Sequence, residues 1–89
     1  MVNVKIPTPL RRFTEQKGEV QAEGDTVISV IENLEKKYPG VGKRVLDDNG
    51  EVRKFINIYV GEEDIRFLKG KETEVKDKEI SIVPAIAGG

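Results

Sequence analysis

Residues 27–40 read VISVIENLEKKYPG and show the clearest periodicity in the chain. Apolar side chains recur every three or four positions, which places them along one face of an α-helix. Asp25 or Thr26 can cap the start of this helix, and Pro39-Gly40 ends it, because the residue before a proline is disfavoured in the helical conformation. The pattern predicts one main helix whose apolar face lies in the core. The residues of that face are Val27, Val30, Ile31, Leu34 and Tyr38.

Strands are predicted on both sides of this helix, because apolar and polar side chains alternate there, as they do in a strand with one buried face. The strongest of these patterns is FINIYV, residues 55–60, in which Ile56, Ile58 and Val60 share one face. The two alternating segments nearest the N-terminus, residues 2–6 and 19–23, are predicted to form a hairpin. The predicted strands are residues 2–6, 19–23, 55–60, 65–67 (a short strand or edge) and 79–83, the last ended by Pro84.

The order of these elements predicts an α+β domain in which the helix packs across one face of a mixed sheet. A hairpin, then a crossover helix leading to a strand parallel to the first one, fits the β-grasp arrangement. Residues 40–54 contain Gly, Asp and Asn at turn positions and no sustained period, so we expect an irregular segment there. A chain of 89 residues is the size of a single domain, and it has no linker to divide it.

Composition argues against several classes of function. The chain has 15 basic and 16 acidic residues and a net charge of −1, whereas a protein that binds the phosphates of nucleic acid needs a positive surplus. It contains no cysteine and no histidine, which removes thiolate and imidazole metal ligands and the usual general base near neutral pH. We therefore expect no catalytic residues, no bound metal or cofactor, no enzyme activity of its own and no nucleic-acid partner.

The hydropathy pattern predicts a cytoplasmic protein without a membrane partner. The N-terminal residues contain no apolar core of a signal peptide. No apolar run approaches the roughly 18 residues that a membrane-spanning helix requires.

The charged clusters are predicted to be solvated surface. Asp47-Asp48 and Glu62-Glu63-Asp64 lie in polar, glycine-bounded turns, so neither set is expected to have the burial that acid–base catalysis needs. The basic pairs Arg11-Arg12 and Arg53-Lys54 are interpreted as wet surface rather than as a phosphate site.

The C-terminal end differs from the rest of the chain. Residues 80–89 contain no charged side chain, although 35% of all residues are charged, and they close with Ala87-Gly88-Gly89. Residues without Cβ atoms can enter a narrow channel. The α-carboxylate of Gly89 is ionised at neutral pH and is a poor acyl donor, so another protein would have to activate it, for example by ATP-dependent adenylation. The terminus would then carry the function, with the folded body as its handle; the alternative is a frayed tail of small residues.

Three segments of the sequence form a specific pattern: Phe55-Ile56-Asn57-Ile58-Tyr59-Val60, Glu63-Asp64-Ile65-Arg66-Phe67 and Val83-Pro84-Ala85-Ile86-Ala87-Gly88-Gly89. Weaker parts of the same pattern are Gly24-Asp25-Thr26, Leu34-Glu35 and Tyr38. In these residues, and over essentially its whole length, the chain resembles the ubiquitin-like sulfur carriers of the ThiS/MoaD family, most closely those of the cysteine-biosynthesis (CysO) type.

The resemblance implies a single β-grasp domain over residues 1–89, with residues 84–89 as a flexible tail. It implies that an E1-like enzyme, using ATP and Mg²⁺, adenylates the carboxylate of Gly89, which then becomes a thiocarboxylate. Gly88 and Ala87 would form the slim part of the tail, and Ile86 and Pro84 would set its exit from the sheet. The sulfur would pass to a partner synthase of the cysteine synthase type, to the large subunit of a molybdopterin synthase, or to the thiazole of thiamine.

The chain departs from the family pattern at the turn before the last strand. Many family members have Asp-Gly-Asp where this chain has Asp77-Lys78-Glu79. A positive φ that depends on glycine is therefore not expected at this turn.

The strand pattern also predicts a docking surface for partner proteins. If Ile56, Ile58 and Val60 pack under the helix, the pleat turns the intervening side chains to the outer face of the sheet. Aromatic residues and arginine are enriched in protein interfaces, and the predicted docking residues are Phe55, Asn57 and Tyr59 with Arg53. The alternative is a satellite cluster covered by residues 40–54.

Three other functions stay open at this point. The first is a protein modifier whose Gly89 is joined to lysines of other proteins by an isopeptide bond. The second is the small subunit of a molybdopterin synthase, and the third is an interaction domain with a coincidental diglycine.

Overall fold

The computed structural model of the chain describes residues 1–84, and within them five strands form one mixed sheet in the order β2-β1-β5-β3-β4. Three short 3₁₀ helices lie in the connections, at Thr8–Phe13, Ile65–Phe67 and Gly70–Glu72. The helices and strands are β1 (Val2–Lys5), β2 (Glu19–Ala22), α1 (Val27–Lys37), α2 (Val41–Val45), β3 (Ile56–Val60), β4 (Glu63–Asp64) and β5 (Ile80–Pro84). None of the helices in residues 1–84 has the length and apolar character needed to cross a bilayer.

The predicted α+β class, with one main helix across a mixed sheet, is confirmed. β1 and β2 form the expected antiparallel hairpin, and β3 pairs antiparallel with β5. The strand parallel to β1 is β5, the last in the chain, and not the strand that directly follows the helix. β3 is not adjacent to β1 in the sheet, because β5 lies between these two strands and pairs with both.

The core lies between α1 and one face of the sheet. The whole predicted stripe of α1 is buried, from Val27 to Tyr38. Alternate residues of the strands meet it, because a strand turns every second side chain to the same face. Each fully buried Val, Leu or Ile side chain contributes about 1.5–3 kcal/mol. The strand residues buried in this core are Val2, Val4, Val20, Ala22, Ile58, Val60, Ile80 and Ile82.

Thr26, rather than Asp25, is the N-cap of α1. Its Oγ1 accepts a hydrogen bond from the backbone N–H of Ser29, at 3.3 Å, and Ser29 Oγ accepts one from the backbone N–H of Thr26, at 3.0 Å. This reciprocal capping box satisfies N–H groups that the first turn of a helix leaves without partners. It fixes where α1 begins.

Residues 40–54 are less irregular than the sequence predicts, because they contain the short helix α2. Its start is held by Glu35 of α1, whose carboxylate accepts the N–H groups of Gly40, at 2.8 Å, and Gly42, at 2.7 Å. Gly40 has φ +104° and lies against Phe13, and a Cβ there would come within 2.8 Å of the ring. Five residues are too few to show a helical period, so only this tertiary contact reveals the helix.

The segment after β3 also differs from its prediction. Residues 65–67 form a 3₁₀ helix, and the short strand is Glu63–Asp64. Asp64 is 7% exposed and is not a solvated turn residue. Its carboxylate accepts hydrogen bonds from the backbone N–H of Arg66, at 2.8 Å, and from Nη2 of the same residue, at 2.8 Å. These bonds hold the pKa of Asp64 below its usual value, against the opposing effect of burial, and raise the pKa of Arg66.

The C-terminal strand brings two further corrections. The turn before it has positive φ at Lys76 (44°) and Asp77 (63°) although neither is glycine. The N–H of Lys78 donates to the carbonyl of Val75, at 3.0 Å, so these two residues are the centre of a tight turn. Pro84 is the last residue of β5, opposite Ile56, instead of following the strand.

We expect the Glu35→Ala variant to unfold more easily, because the N–H groups of Gly40 and Gly42 lose a charged acceptor. The expected loss in free energy of unfolding is about 2 kcal/mol, measured by chemical denaturation. Glu32→Ala, an exposed position on the same helix, is the matched control and is expected to change stability little. Equal losses in the two variants would contradict the bridging role of Glu35.

The Asp64–Arg66 contact predicts a stability that depends on acid. Because the pKa of Asp64 is lowered in the folded state, its contribution is fully present above the unfolded value of about 3.9 and is lost as pH falls through the lowered value. Asp64→Asn is therefore expected to lower the free energy of unfolding near neutral pH, and to differ less from the wild type below about pH 4. Urea unfolding across this pH range measures the difference. With Asp48→Asn, an exposed control, the difference is expected to be small throughout.

Candidate functional site

The tail predicted to carry the chemistry begins where β5 ends. Pro84, the last residue of β5, pairs with Ile56, the first residue of β3. The predicted tail residues Ile86, Ala87, Gly88 and Gly89 lie outside the described residues. The structure therefore defines the surfaces beside the start of the tail.

The outer face of the sheet carries Asn57 and Tyr59, as predicted. Both are half-buried, and their partners on β5 are Val83 and Ser81. Val83 is 40% exposed. Within residues 1–84, Oδ1 of Asn57 is shielded from solvent but accepts no hydrogen bond. A buried acceptor without a partner costs roughly 1–3 kcal/mol. A hydrogen-bond donor from another molecule that reached this oxygen would therefore bind favourably.

Arg66 lies at the β4 edge of the sheet, and it is not among the residues that the sequence predicts for the site. Tyr59 lies opposite Asp64 in the sheet, and Asp64 binds the guanidinium of Arg66. The Arg66 side chain is nevertheless 65% exposed, so a buried carboxylate fixes a cation that still faces solvent. The spacing Asp-x-Arg in the sequence allows this local contact. Its position beside Tyr59, however, depends on the pairing of β4 with β3.

Phe55 and Arg53 lie apart from Asn57 and Tyr59. Phe55 precedes β3 and is 59% exposed. Arg53 donates through Nε to the carbonyl of Lys43, at 2.9 Å, which ties it to α2. Both residues line a groove that also includes Pro84. The predicted docking residues are thus divided between the outer face and this groove.

Residues 40–54 pack on the core side of β3. Leu46 and Val52 lie against the core together with Ile56. Because successive residues of a strand face opposite ways, this is the face away from Asn57 and Tyr59. Residues 40–54 therefore do not cover Asn57 and Tyr59, as the alternative interpretation of these residues requires.

In residues 1–84, acidic residues do not gather into a group of three or more that could hold a metal ion. Asp64, the buried carboxylate, is occupied by Arg66 and has a lowered pKa, which is unsuited to a general base near neutral pH.

Comparison with known proteins places these features in a family. The model of the ThiS family matches residues 4–89. The sulfur carrier protein CysO of Mycobacterium tuberculosis is 44% identical over 91 residues, which cover 99% of this chain and 98% of the relative.

Solved structures agree with that match. A chain in the crystal structure of the Amycolatopsis orientalis BexX/CysO complex has a TM-score of 0.93 and 42% identity, over 100% of both chains. The solution structure of small archaeal modifier protein 1 from Methanosarcina acetivorans has a TM-score of 0.84 and 34% identity, over 99% of this chain and 95% of that one. These similarities confirm the predicted β-grasp fold. With a family model matched from residue 4 to residue 89, the chain belongs to the ThiS family.

Proposed function

We propose that this protein is a sulfur carrier whose reactive group is the carboxylate of Gly89. The observation that carries the proposal is the 44% identity with a sulfur carrier protein over 99% of the chain. The diglycine end of the sequence supplies the chemical group that such a role needs. In this role the chain is a co-substrate of its partner enzymes, working in the cytoplasm, and not an enzyme itself.

The chemistry follows from the poor reactivity of a carboxylate. An E1-like enzyme, with ATP and Mg²⁺, would join the Gly89 carboxylate to AMP and release pyrophosphate. A sulfur nucleophile then attacks the acyl carbon, so that a C–S bond forms and the C–O bond to AMP breaks. Gly88 and Gly89 have no side chains, so the attacking group meets little steric hindrance.

The folded body would present this terminus. Pro84 is held by the pairing of β5 with β3, so the residue from which the tail starts has a fixed position in the folded body. Asn57 and Tyr59 offer a half-buried polar and aromatic surface beside β5, the kind of surface that protein partners use. The same carrier can therefore meet an activating enzyme and an acceptor enzyme in succession.

We assign the sulfur to cysteine biosynthesis, with a cysteine synthase type of acceptor enzyme. The support is the similarity to proteins named CysO in sequence and in structure. A second candidate role, conjugation of Gly89 to lysines of other proteins, is favoured by the similarity to small archaeal modifier protein 1. Both roles begin with activation of the same carboxylate.

Intact-mass analysis tests the carrier role. After incubation with the cognate activating enzyme, ATP and sulfide, the full chain is expected to gain a species in which one oxygen is replaced by sulfur. Deletion of Gly89 is expected to abolish this species without changing the unfolding transition. A reaction without ATP is the control. A wild-type chain that stays unmodified, or a deletion variant that is modified equally, would contradict the proposal.

The Tyr59→Ala variant tests the outer face as a docking surface. We expect it to raise the KM for the activating enzyme about tenfold, because an interface aromatic commonly contributes more than about 1 kcal/mol. Tyr38→Ala is the control, since Tyr38 is buried at the C-terminal end of α1, and its loss should change stability but not the KM of the folded fraction. If Tyr59→Ala lowers stability as much as Tyr38→Ala and leaves the KM unchanged, Tyr59 is structural.

A further inference from the structure

A groove of about 690 Å³ beside the end of β5 gathers cations from three separate parts of the chain. Arg12 comes from the 3₁₀ helix after β1, Arg44 from α2, and Arg53 and Lys54 from the segment before β3. All four are exposed. Pro84, the last described residue before the tail, lines the same groove.

Two of these cations are held together by one aromatic ring. The guanidinium carbon of Arg12 lies 4.9 Å from the centroid of Phe13, and that of Arg44 lies 5.5 Å from the same centroid. Both distances are within the roughly 6 Å range of a cation–π contact. Phe13 itself packs against Gly40, where a Cβ would come within 2.8 Å of the ring. The ring is therefore fixed, and it brings two like charges to one side of the groove.

The third guanidinium is also held in place. Arg53 donates through Nε to the carbonyl of Lys43, at 2.9 Å, and its backbone N–H donates to the carbonyl of Val45, at 2.9 Å. A side chain fixed in this way loses little conformational freedom when a partner binds.

The described lining of the groove carries four cations and one acid, which leaves a local surplus of positive charge. Within residues 1–84, none of the four forms an ion pair, whereas five other basic residues of this part of the chain do. The acid is Asp47, whose Oδ1 accepts the N–H groups of Asn49, at 2.9 Å, and Glu51, at 3.0 Å, and whose single charge is less than that of the four cations. The positive charge is local, because the whole chain has a net charge of −1.

We propose that this groove is a docking site for a carboxylate-rich surface of the enzyme that takes the tail. The inference rests on the proposed carrier function. Residues 85–89 begin directly after Pro84, so an enzyme that holds Gly89 lies within about 17 Å of the groove even when the tail is fully extended. Carboxylates opposite arginines would orient the carrier and speed its encounter with the enzyme.

A protein surface fits the groove better than nucleic acid does. Leu10, Phe55 and Pro84 contribute apolar lining between the cations, and Phe55 is 59% exposed. Protein interfaces combine aromatic residues with arginine in this way. Binding to a phosphate backbone instead favours a broad positive surplus, which the chain lacks.

The test compares two charge reversals of equal size in the full chain. Arg12→Glu with Arg44→Glu alters the groove, while Lys69→Glu with Lys78→Glu alters exposed lysines near Val60, at the opposite end of β3. Binding to the cognate activating enzyme is measured as a Kd, between about 50 and 300 mM salt. We expect the groove variant to bind at least about tenfold more weakly at low salt and to lose most of the salt dependence that the wild type shows. The lysine variant should keep that salt dependence.

A second double variant, Arg12→Gln with Arg44→Gln, removes the two positive charges without introducing negative ones. It therefore measures the loss of attraction alone, without new repulsion from the enzyme's carboxylates. It is expected to bind with intermediate affinity and to stay folded, with only the small loss of stability that follows from removing two exposed cation–π contacts. Equal weakening in the groove and lysine variants, or a wild-type Kd independent of salt, would overturn the proposal, as would a preference of the wild type for single-stranded RNA over the enzyme. Thiocarboxylate formation in the wild type is scored separately by mass, so a failure of the carrier role is distinguished from a failure of the groove.

Discussion

The register of β5 is the constraint on which the rest of the molecule depends. Burial of Ile80 and Ile82 beneath α1 sets that register, while β1 pairs on one side of the strand and β3 on the other. A slip by one residue would turn Ser81 and Val83 into the core and both isoleucines to solvent. The same register brings Pro84 opposite Ile56, so the packing of the core also determines the position of the residue that precedes the tail.

Arginine is immobilised in two kinds of arrangement, one beside β4 and one in the groove. A buried carboxylate, that of Asp64, holds Arg66 at the β4 edge of the sheet. In the groove, an aromatic ring and a backbone carbonyl hold Arg12, Arg44 and Arg53 without neutralising them. The first arrangement satisfies its cation within the protein, whereas the second leaves charge available to another molecule. In the described part of the chain, the groove is therefore better suited than the Asp64–Arg66 pair to attract a negatively charged partner.

The sequence was sufficient where a signal lies within one short segment. The stripe of α1 and the alternation of β3 each repeat often enough to set their class and buried face. The helix α2 was missed because Glu35, from another element, holds its start. The burial of Asp64 was missed because its acidic neighbours suggested a solvated turn. The pairs Arg11-Arg12 and Arg53-Lys54 looked like ordinary wet surface, and only the folded chain brings members of both to the same groove with Arg44.

A diglycine tail is accessible to enzymes because it has few atoms, and for the same reason it offers few features to distinguish one carrier from another. If Gly89 is the reacting residue, discrimination among activating and acceptor enzymes has to come from the folded body. The outer face and the groove both border the last residues of β5, but they differ in chemistry, since one is aromatic and amide-bearing and the other is cationic. Two unlike surfaces at the base of one tail would give a partner enzyme two independent contacts by which to distinguish this chain from other carriers.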